Sequence, residues 1–130
     1  MTIPEKYIDL LDAKGFAHIA TVGPNSEPQC SPVWYGWDGE LVSFSLTKTR
    51  QKFRNLSANP SIAMSIIDPA NPYRYLEVRG SVERIDEDPN CDFINSMATK
   101  YMGVDVYPGN QPGDERVVIR VRPTHTSAMG

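Results

Sequence analysis

The chain has 130 residues, 40% of them apolar and 22% charged, with a formal net charge of −3. A single domain of this size buries one core without metal or disulfide support. The mildly acidic balance argues against a nucleic-acid or membrane-surface role, and no run of about 18 apolar residues exists to cross a bilayer. The opening Met1-Thr-Ile-Pro-Glu-Lys6 lacks a basic stretch followed by an apolar one, so no signal peptide is expected. Cys30 and Cys91 stand alone without a CxxC pair, which predicts reduced, packed thiols in a cytoplasmic protein.

Residues 4–13 read as a helix, with Thr2 and Glu5 as a capping box, Gly15 as the stop, and Ile3, Tyr7, Ile8 and Leu11 on one face. A strand over 16–22 is broken by Gly23-Pro24-Asn25-Ser26, and a second runs over 29–37. Asp38-Gly39 is a two-residue hairpin signal, returned by a strand over 41–46. A helix over 49–58 ends at Asn59-Pro60, followed by a strand over 61–68 and a Pro-Ala-Asn-Pro loop at 69–72. The longest strand covers 73–85, with Leu76, Val78, Gly80 and Val82 facing one way and Glu77, Arg79, Ser81 and Glu83 the other. That charged, regular face is expected at or near a two-fold interface. A helix over 89–102 buries Phe93, Ile94, Met97, Ala98 and Tyr101 and stops at Gly103. Residues 104–115 form a Pro/Gly loop expected to border a substrate pocket, and 116–122 alternates Val117, Ile119 and Val121 against arginines as a last strand. Six strands, three short helices and no repeat or linker give one domain over 1–130. Hairpins dominate and no βαβ series appears, so the predicted fold is an antiparallel barrel with helices at its ends.

The richest chemistry lies in Thr47-Lys-Thr-Arg-Gln-Lys-Phe-Arg54, which places Lys48, Arg50, Lys52 and Arg54 at a strand-to-helix junction without an acid. A helix N-terminus is already positive and its N–H groups lack acceptors. Cations there are unfavourable unless an anion joins them, and a phosphate takes N–H groups, threonine hydroxyls and cations together. A solvated basic helix face accounts for the same residues equally well. No GxGxxG, GxxxxGK[ST] or GxSxG motif is present, and His18 and His125 stand far from any second ligand, so no metal site is expected. Trp34, Tyr35 and Trp37 serve packing in the main, although an aromatic strand beside a phosphate site also walls a flat ring.

Several segments together resemble the pyridoxamine-phosphate-oxidase-like superfamily: Phe-Ala-His-Ile-Ala-Thr-Val at 16–22, Pro-Gln-Cys-Ser-Pro-Val-Trp-Tyr at 28–35 and Thr-Lys-Thr-Arg-Gln-Lys-Phe-Arg-Asn-Leu at 47–56. The Asn59-Pro60 step, Tyr73-Arg-Tyr-Leu-Glu-Val-Arg-Gly80 and the closing residues 118–125 point to its actinobacterial branch of coenzyme F420 (deazaflavin)-dependent oxidoreductases. The resemblance implies a mainly β, six-stranded antiparallel split β-barrel of the FMN-binding type, forming a homodimer whose two cofactor sites are shared between subunits. It places the cofactor phosphate on Arg50 and Lys52, with Thr47 and Lys48 in the same segment. Ser31, Pro32 and Val33 then lie along the ring system, and Tyr73, Arg74 and Tyr75 approach the cofactor of the other subunit. Four cations suit the phosphodiester and carboxylate tail of F420 better than the single phosphate of FMN. The implied activity is hydride transfer to a conjugated C=C or C=N bond of a small-molecule substrate. An FMN-dependent oxidoreductase is the alternative, and a non-enzymatic flavin- or haem-binding protein is an alternative of another class. No catalytic residue is identified; Tyr35, Tyr73 and Tyr75 are chemical possibilities as proton donors.

Overall fold

The computed structural model describes residues 3–130, so the Thr2 half of the expected capping box lies outside the described residues. The first helical segment is shorter than periodicity suggested. A 3-10 turn at Glu5–Tyr7 leads into α1 (Ile8–Asp12), which buries Leu10 and Leu11. β1 (Ala17–Val22) and β2 (Pro28–Val33) form a hairpin across the Gly23–Glu27 turn. Here the structure departs from the single strand expected over 29–37. Trp34 and Tyr35 interrupt it, and a two-residue β3 (Gly36–Trp37) follows. The cause is Tyr35, whose ring turns fully inward and whose hydroxyl donates to the Leu10 carbonyl at 2.6 Å. The strand count is therefore seven among the described residues, not six.

The hairpin signalled by Asp38-Gly39 forms, but one residue later than expected: Trp37 pairs with Val42, Asp38 N–H donates to the Leu41 carbonyl at 3.3 Å, and Gly39 and Glu40 make the tip. Asp38 Oδ1 accepts from the N–H groups of Glu40 and Leu41 at 2.8 and 2.7 Å, and Gly39 takes φ +95°. β4 (Val42–Thr47) leads into α2 (Gln51–Ala58), then β5 (Ser61–Asp68) and β6 (Asn71–Glu87). α3 (Asp92–Met102) begins later than position 89 because the buried Asp88 carboxylate accepts from Phe93 N–H at 3.1 Å, while Cys91 sits in the left-handed region at φ +59°. Gly103 ends α3 at φ +70°, its N–H donating to the Thr99 carbonyl. β7 (Arg116–Met129) runs past the expected 122 because β6 pairs with it along its length.

All the strand pairs are antiparallel, in the order β2-β1-β5-β6-β7-β4-β3. The edge strands β2 and β3 are separated by only Trp34 and Tyr35, so the sheet must curl until its two edges nearly meet. The result is a split barrel. Its interior takes alternate residues from facing strands: Ala17 and Ile19, Phe44 and Leu46, Met64 and Ile66, Leu76 and Val78, Val117 and Ile119. α3 covers part of the outer face, where Ile94, Met97 and Val118 are buried. Pro28 and Pro32 fall on edge strand β2, where a missing N–H is tolerated. Cys91 is half-buried, but Cys30 is exposed, because alternate residues of an edge strand face outward; the expectation of packed thiols fails there. No helix of the described residues is long and apolar enough to cross a membrane.

Candidate functional site

A cleft of about 330 Å³ opens where β2, the end of β4 and the start of α2 meet α3 and the 104–115 loop. Ser31, Pro32 and Val33 line one side, and Thr47, Arg50 and Lys52 line another. These six expected site residues are brought together. Four others are placed elsewhere. Lys48 pairs with Glu87 and, at 3.7 Å, with Glu115. Arg74 bonds both carboxylate oxygens of Asp9, plus Asp68 and the Lys6 carbonyl, clamping the N-terminal segment to the β5–β6 hairpin. Tyr73 and Tyr75 lie on β6, outside the cleft lining of this chain. Arg54, the fourth cation of the basic segment, folds back onto the Thr49 carbonyl and Gln51 Oε1.

Lys52 is the unusual member. The residue is only 8% exposed, and its Nζ donates to Ser31 Oγ at 2.6 Å. Burial, reinforced by the neighbouring Arg50 charge, holds its ammonium below the usual lysine range. None of the ion pairs among the described residues involves Arg50, Lys52 or Arg116. Arg50 is the residue before the first turn of α2, where no side chain caps the helix and no acid stands. The Gln51 and Lys52 N–H groups of that turn thus open beside two cations, while Phe53 N–H donates to the Arg50 carbonyl at 3.1 Å. Thr47 and Thr49 share a hydroxyl–hydroxyl bond of 3.0 Å at the same end.

A polar chain behind the cleft fixes this geometry. From Ser31 it passes through Gln29 to Thr21, which accepts from Asn55 Nδ2 at 3.0 Å, and Asn55 Oδ1 accepts from Gln51 at 2.7 Å. Thr21 and Asn55 are buried, so these bonds tie α2 to β1 and β2 rather than decorate a surface. Buried polar residues in a strand and a helix carry no local motif, and the sequence reading missed them.

The opposite wall is aromatic. Trp34 stacks on Tyr101 with centroids 4.8 Å apart and meets Tyr107 edge-on at 5.8 Å. Tyr107 comes from the 104–115 loop, held there by Asn95, whose side-chain oxygen accepts its N–H at 2.9 Å. Arg116 also lines the cleft, and its alternation with Val117 marked it only as an outward strand residue. Among the described residues no group of three or more His, Cys, Asp or Glu side chains could hold a metal.

The family model for pyridoxamine 5'-phosphate oxidase matches residues 3–130. This chain belongs to that family. A solved F420 reductase is 49% identical, with a TM-score of 0.88, and the match covers 96% of this chain and 98% of that one. A 5a,11a-dehydrotetracycline/5a,11a-dehydrooxytetracycline reductase of Streptomyces rimosus is 33% identical over 72 residues, 52% of this chain. That match spans about half of the reductase, 51% of its length. A conserved hypothetical protein from Mycobacterium tuberculosis, 22% identical with a TM-score of 0.75 over 99% of this chain and 86% of that one, shares the fold.

The site's chemistry fits a phosphate-bearing flavin-type group. A buried ammonium and a guanidinium, neither with a carboxylate partner among the described residues, line one cleft beside the start of α2, and aromatic and apolar walls stand beside them.

Proposed function

We propose that this protein is a coenzyme F420-dependent oxidoreductase acting on a conjugated C=C or C=N bond of a small-molecule substrate. Lys52 is the observation that carries the reading: a buried cation beside a helix N-terminus, with only a neutral hydroxyl for a partner, is a place prepared for an anion. Arg50 would take the same phosphate with its fork of N–H donors. β2 pairs with β1 alone, so its other edge is free to meet the polar rim of a ring system; there Pro32, which has no N–H, can offer only its carbonyl oxygen. Trp34, Met97 and Tyr107 would exclude water from the ring face. When bound and reduced, the deazaflavin supplies a hydride; the chain's residues bind, orient and shield it.

The choice of F420 rests on the 49% identical F420 reductase rather than on counting cations. The four-cation argument does not hold within one subunit, since Lys48 is paired with glutamates and Arg54 is turned onto its own helix. Two free cations match the single phosphate of FMN equally well, so FMN is the second reading. Titration of the purified protein with F420, FMN, FAD and haem decides. Tightest binding of F420 supports the proposal, FMN preference replaces the cofactor, and haem alone would replace the enzyme reading with a binding protein.

The same reading includes a homodimer with shared sites. Ile67, Tyr75 and Met129 stand opposite one another across β5, β6 and β7, and Ile67 and Met129 are exposed, as is Tyr73 on the same strand as Tyr75. An apolar stripe in cross-strand register is a surface suited to a second copy.

A further inference from the structure

Arg116 has no assigned role, and its surroundings give it one. Its Nε donates to Asn110 Oδ1, one Nη1 hydrogen goes to Ser45 Oγ at 3.2 Å, and the guanidinium lies over the Tyr107 ring, 4.9 Å from its centroid. Two bonds and a ring face fix its plane. Of five N–H donors, three stay uncommitted, and no carboxylate of the described residues pairs with it. The other arginines of its strand differ: Arg120 pairs with Asp86, and Arg122 with Glu83 and Glu40. Arg116 is the one of the three directed into the cleft lining.

The neighbours narrow the ligand. Trp34 and Tyr107 form an aromatic wall, and Met97 from α3 adds a polarizable apolar patch. A flat, conjugated body fits that wall, and a rigid planar fork at its edge fits a planar oxyanion.

We propose that Arg116 is a specificity-determining residue that selects planar conjugated substrates bearing a carboxylate or enolate oxygen. This rests on the cleft being the reaction site, with Arg50 and Lys52 reserved for the cofactor phosphate. The uncommitted Nη hydrogens of Arg116 are donated to the two oxygens of a carboxylate, or to the single oxygen of an enolate, and the conjugated body lies on the aromatic wall.

The test compares 2-naphthoate with its neutral isostere 2-naphthamide, using ligand-observed and protein-observed NMR. Binding is measured on the F420-loaded protein and on the cofactor-free protein saturated with inorganic phosphate, so that Arg50 and Lys52 are filled in both. The expected result is a preference of about tenfold for the acid, lost in Arg116→Gln, kept in part in Arg116→Lys and unchanged in Lys48→Gln. Thermal melts accompany each variant, and the acid-to-amide ratio reads charge recognition even if absolute affinities fall. Equal binding of both probes, binding of neither, or a preference that survives Arg116→Gln overturns the proposal. The phosphate-saturated arm keeps the two readings apart. Failure of F420 to bind, with the Arg116-dependent preference intact, would sink the cofactor reading and leave the anion subsite standing.

Discussion

Lys52 Nζ lies 2.6 Å from Ser31 Oγ, so the first turn of α2 is stitched to edge strand β2 by a buried charge and a neutral hydroxyl. A hydroxyl only partly replaces lost hydration, so this lysine is destabilising until an anion arrives. Lys52→Met should therefore leave cofactor-free stability level or slightly raised. It should weaken cofactor binding by about ten- to a hundredfold, corresponding to a charge-assisted bond of about 1.5–3 kcal/mol. Melts of the cofactor-free protein and fluorescence titrations of F420 and FMN check both halves. Unchanged affinity would return Lys52 to a purely architectural role.

The same residue sets a pH dependence. Burial and the Arg50 charge lower the Lys52 pKa in the cofactor-free protein. Its protonated form binds the anion, so affinity is full below that lowered pKa and declines as pH rises through it. The folded protein also gains stability across the interval up to the unfolded lysine value, because there the unfolded chain binds the extra proton. A cofactor titration from about pH 7 to 10 should show affinity falling before an ordinary lysine would lose its charge. Lys52→Arg should move the fall to higher pH. A flat profile in the wild-type protein contradicts the assignment.

Lys48 and Arg54 supply the internal control. They belong to the same basic run, yet Lys48 is held by Glu87 and Glu115, and Arg54 by the Thr49 carbonyl and Gln51. Lys48→Ala should leave stability nearly unchanged, as exposed pairs contribute little, with cofactor affinity nearly unchanged as well. Arg50→Ala should weaken binding by about tenfold or more. Equal losses at Lys48 and Arg50 would mean that overall positive potential, rather than a defined cradle, attracts the cofactor.

Assembly gives a further check. Ile67 and Met129 are 40% and 50% exposed, and Tyr73 reaches 77%. If that stripe meets a second copy, Ile67→Lys should shift a dimeric mass by light scattering toward the monomer and weaken cofactor binding with it. A wild-type protein that is monomeric at micromolar concentration removes both the dimer and the shared site.

The fold was legible where the reason was local. Alternation placed β6 and the start of β7, a mostly apolar run between Asn59-Pro60 and a Pro-rich loop placed β5, Asp38-Gly39 placed a hairpin, and Gly103 placed the end of α3. What escaped depended on side-chain partners that periodicity does not show, distant in sequence or outside the usual cap spacing. Tyr35 breaks its strand to reach the Leu10 carbonyl, and Asp88 delays α3 by capping Phe93 N–H across five residues. The site divides in the same way. Arg50 and Lys52 were readable as cations at a helix start, whereas the neutralisation of Lys48 required glutamates 39 and 67 residues away. Arg116 was hidden for a converse reason: its strand alternates three arginines, and only tertiary pairing shows which one lacks an acid.

Gly80 tests the long β6–β7 ribbon that carries much of this architecture. Its backbone is ordinary and extended, so conformational freedom is not what the position requires. A Cβ added there would lie 2.2 Å from the Arg122 carbonyl oxygen and 3.0 Å from its carbonyl carbon. The neighbours are backbone atoms of the paired strand, opposite Pro123 and beside the register shift between Arg79 and Gly80. Side chains can yield, but here the two strands themselves would have to separate. Gly80→Ala should therefore destabilise the protein by about 1–3 kcal/mol or more, in the range of overpacked interiors. Gly39→Ala supplies the contrast, since nothing lies within 4 Å of its Cβ and only its φ of +95° is strained. Chemical denaturation of both variants measures the difference. Because Arg116, the β7 residue of the cleft, lies six residues along the strand from Arg122 at this mid-strand crossing, cofactor affinity in folded Gly80→Ala protein should stay near wild type. A stable Gly80→Ala variant would show that the ribbon can open at its bulge without cost, and the close approach would lose its structural meaning.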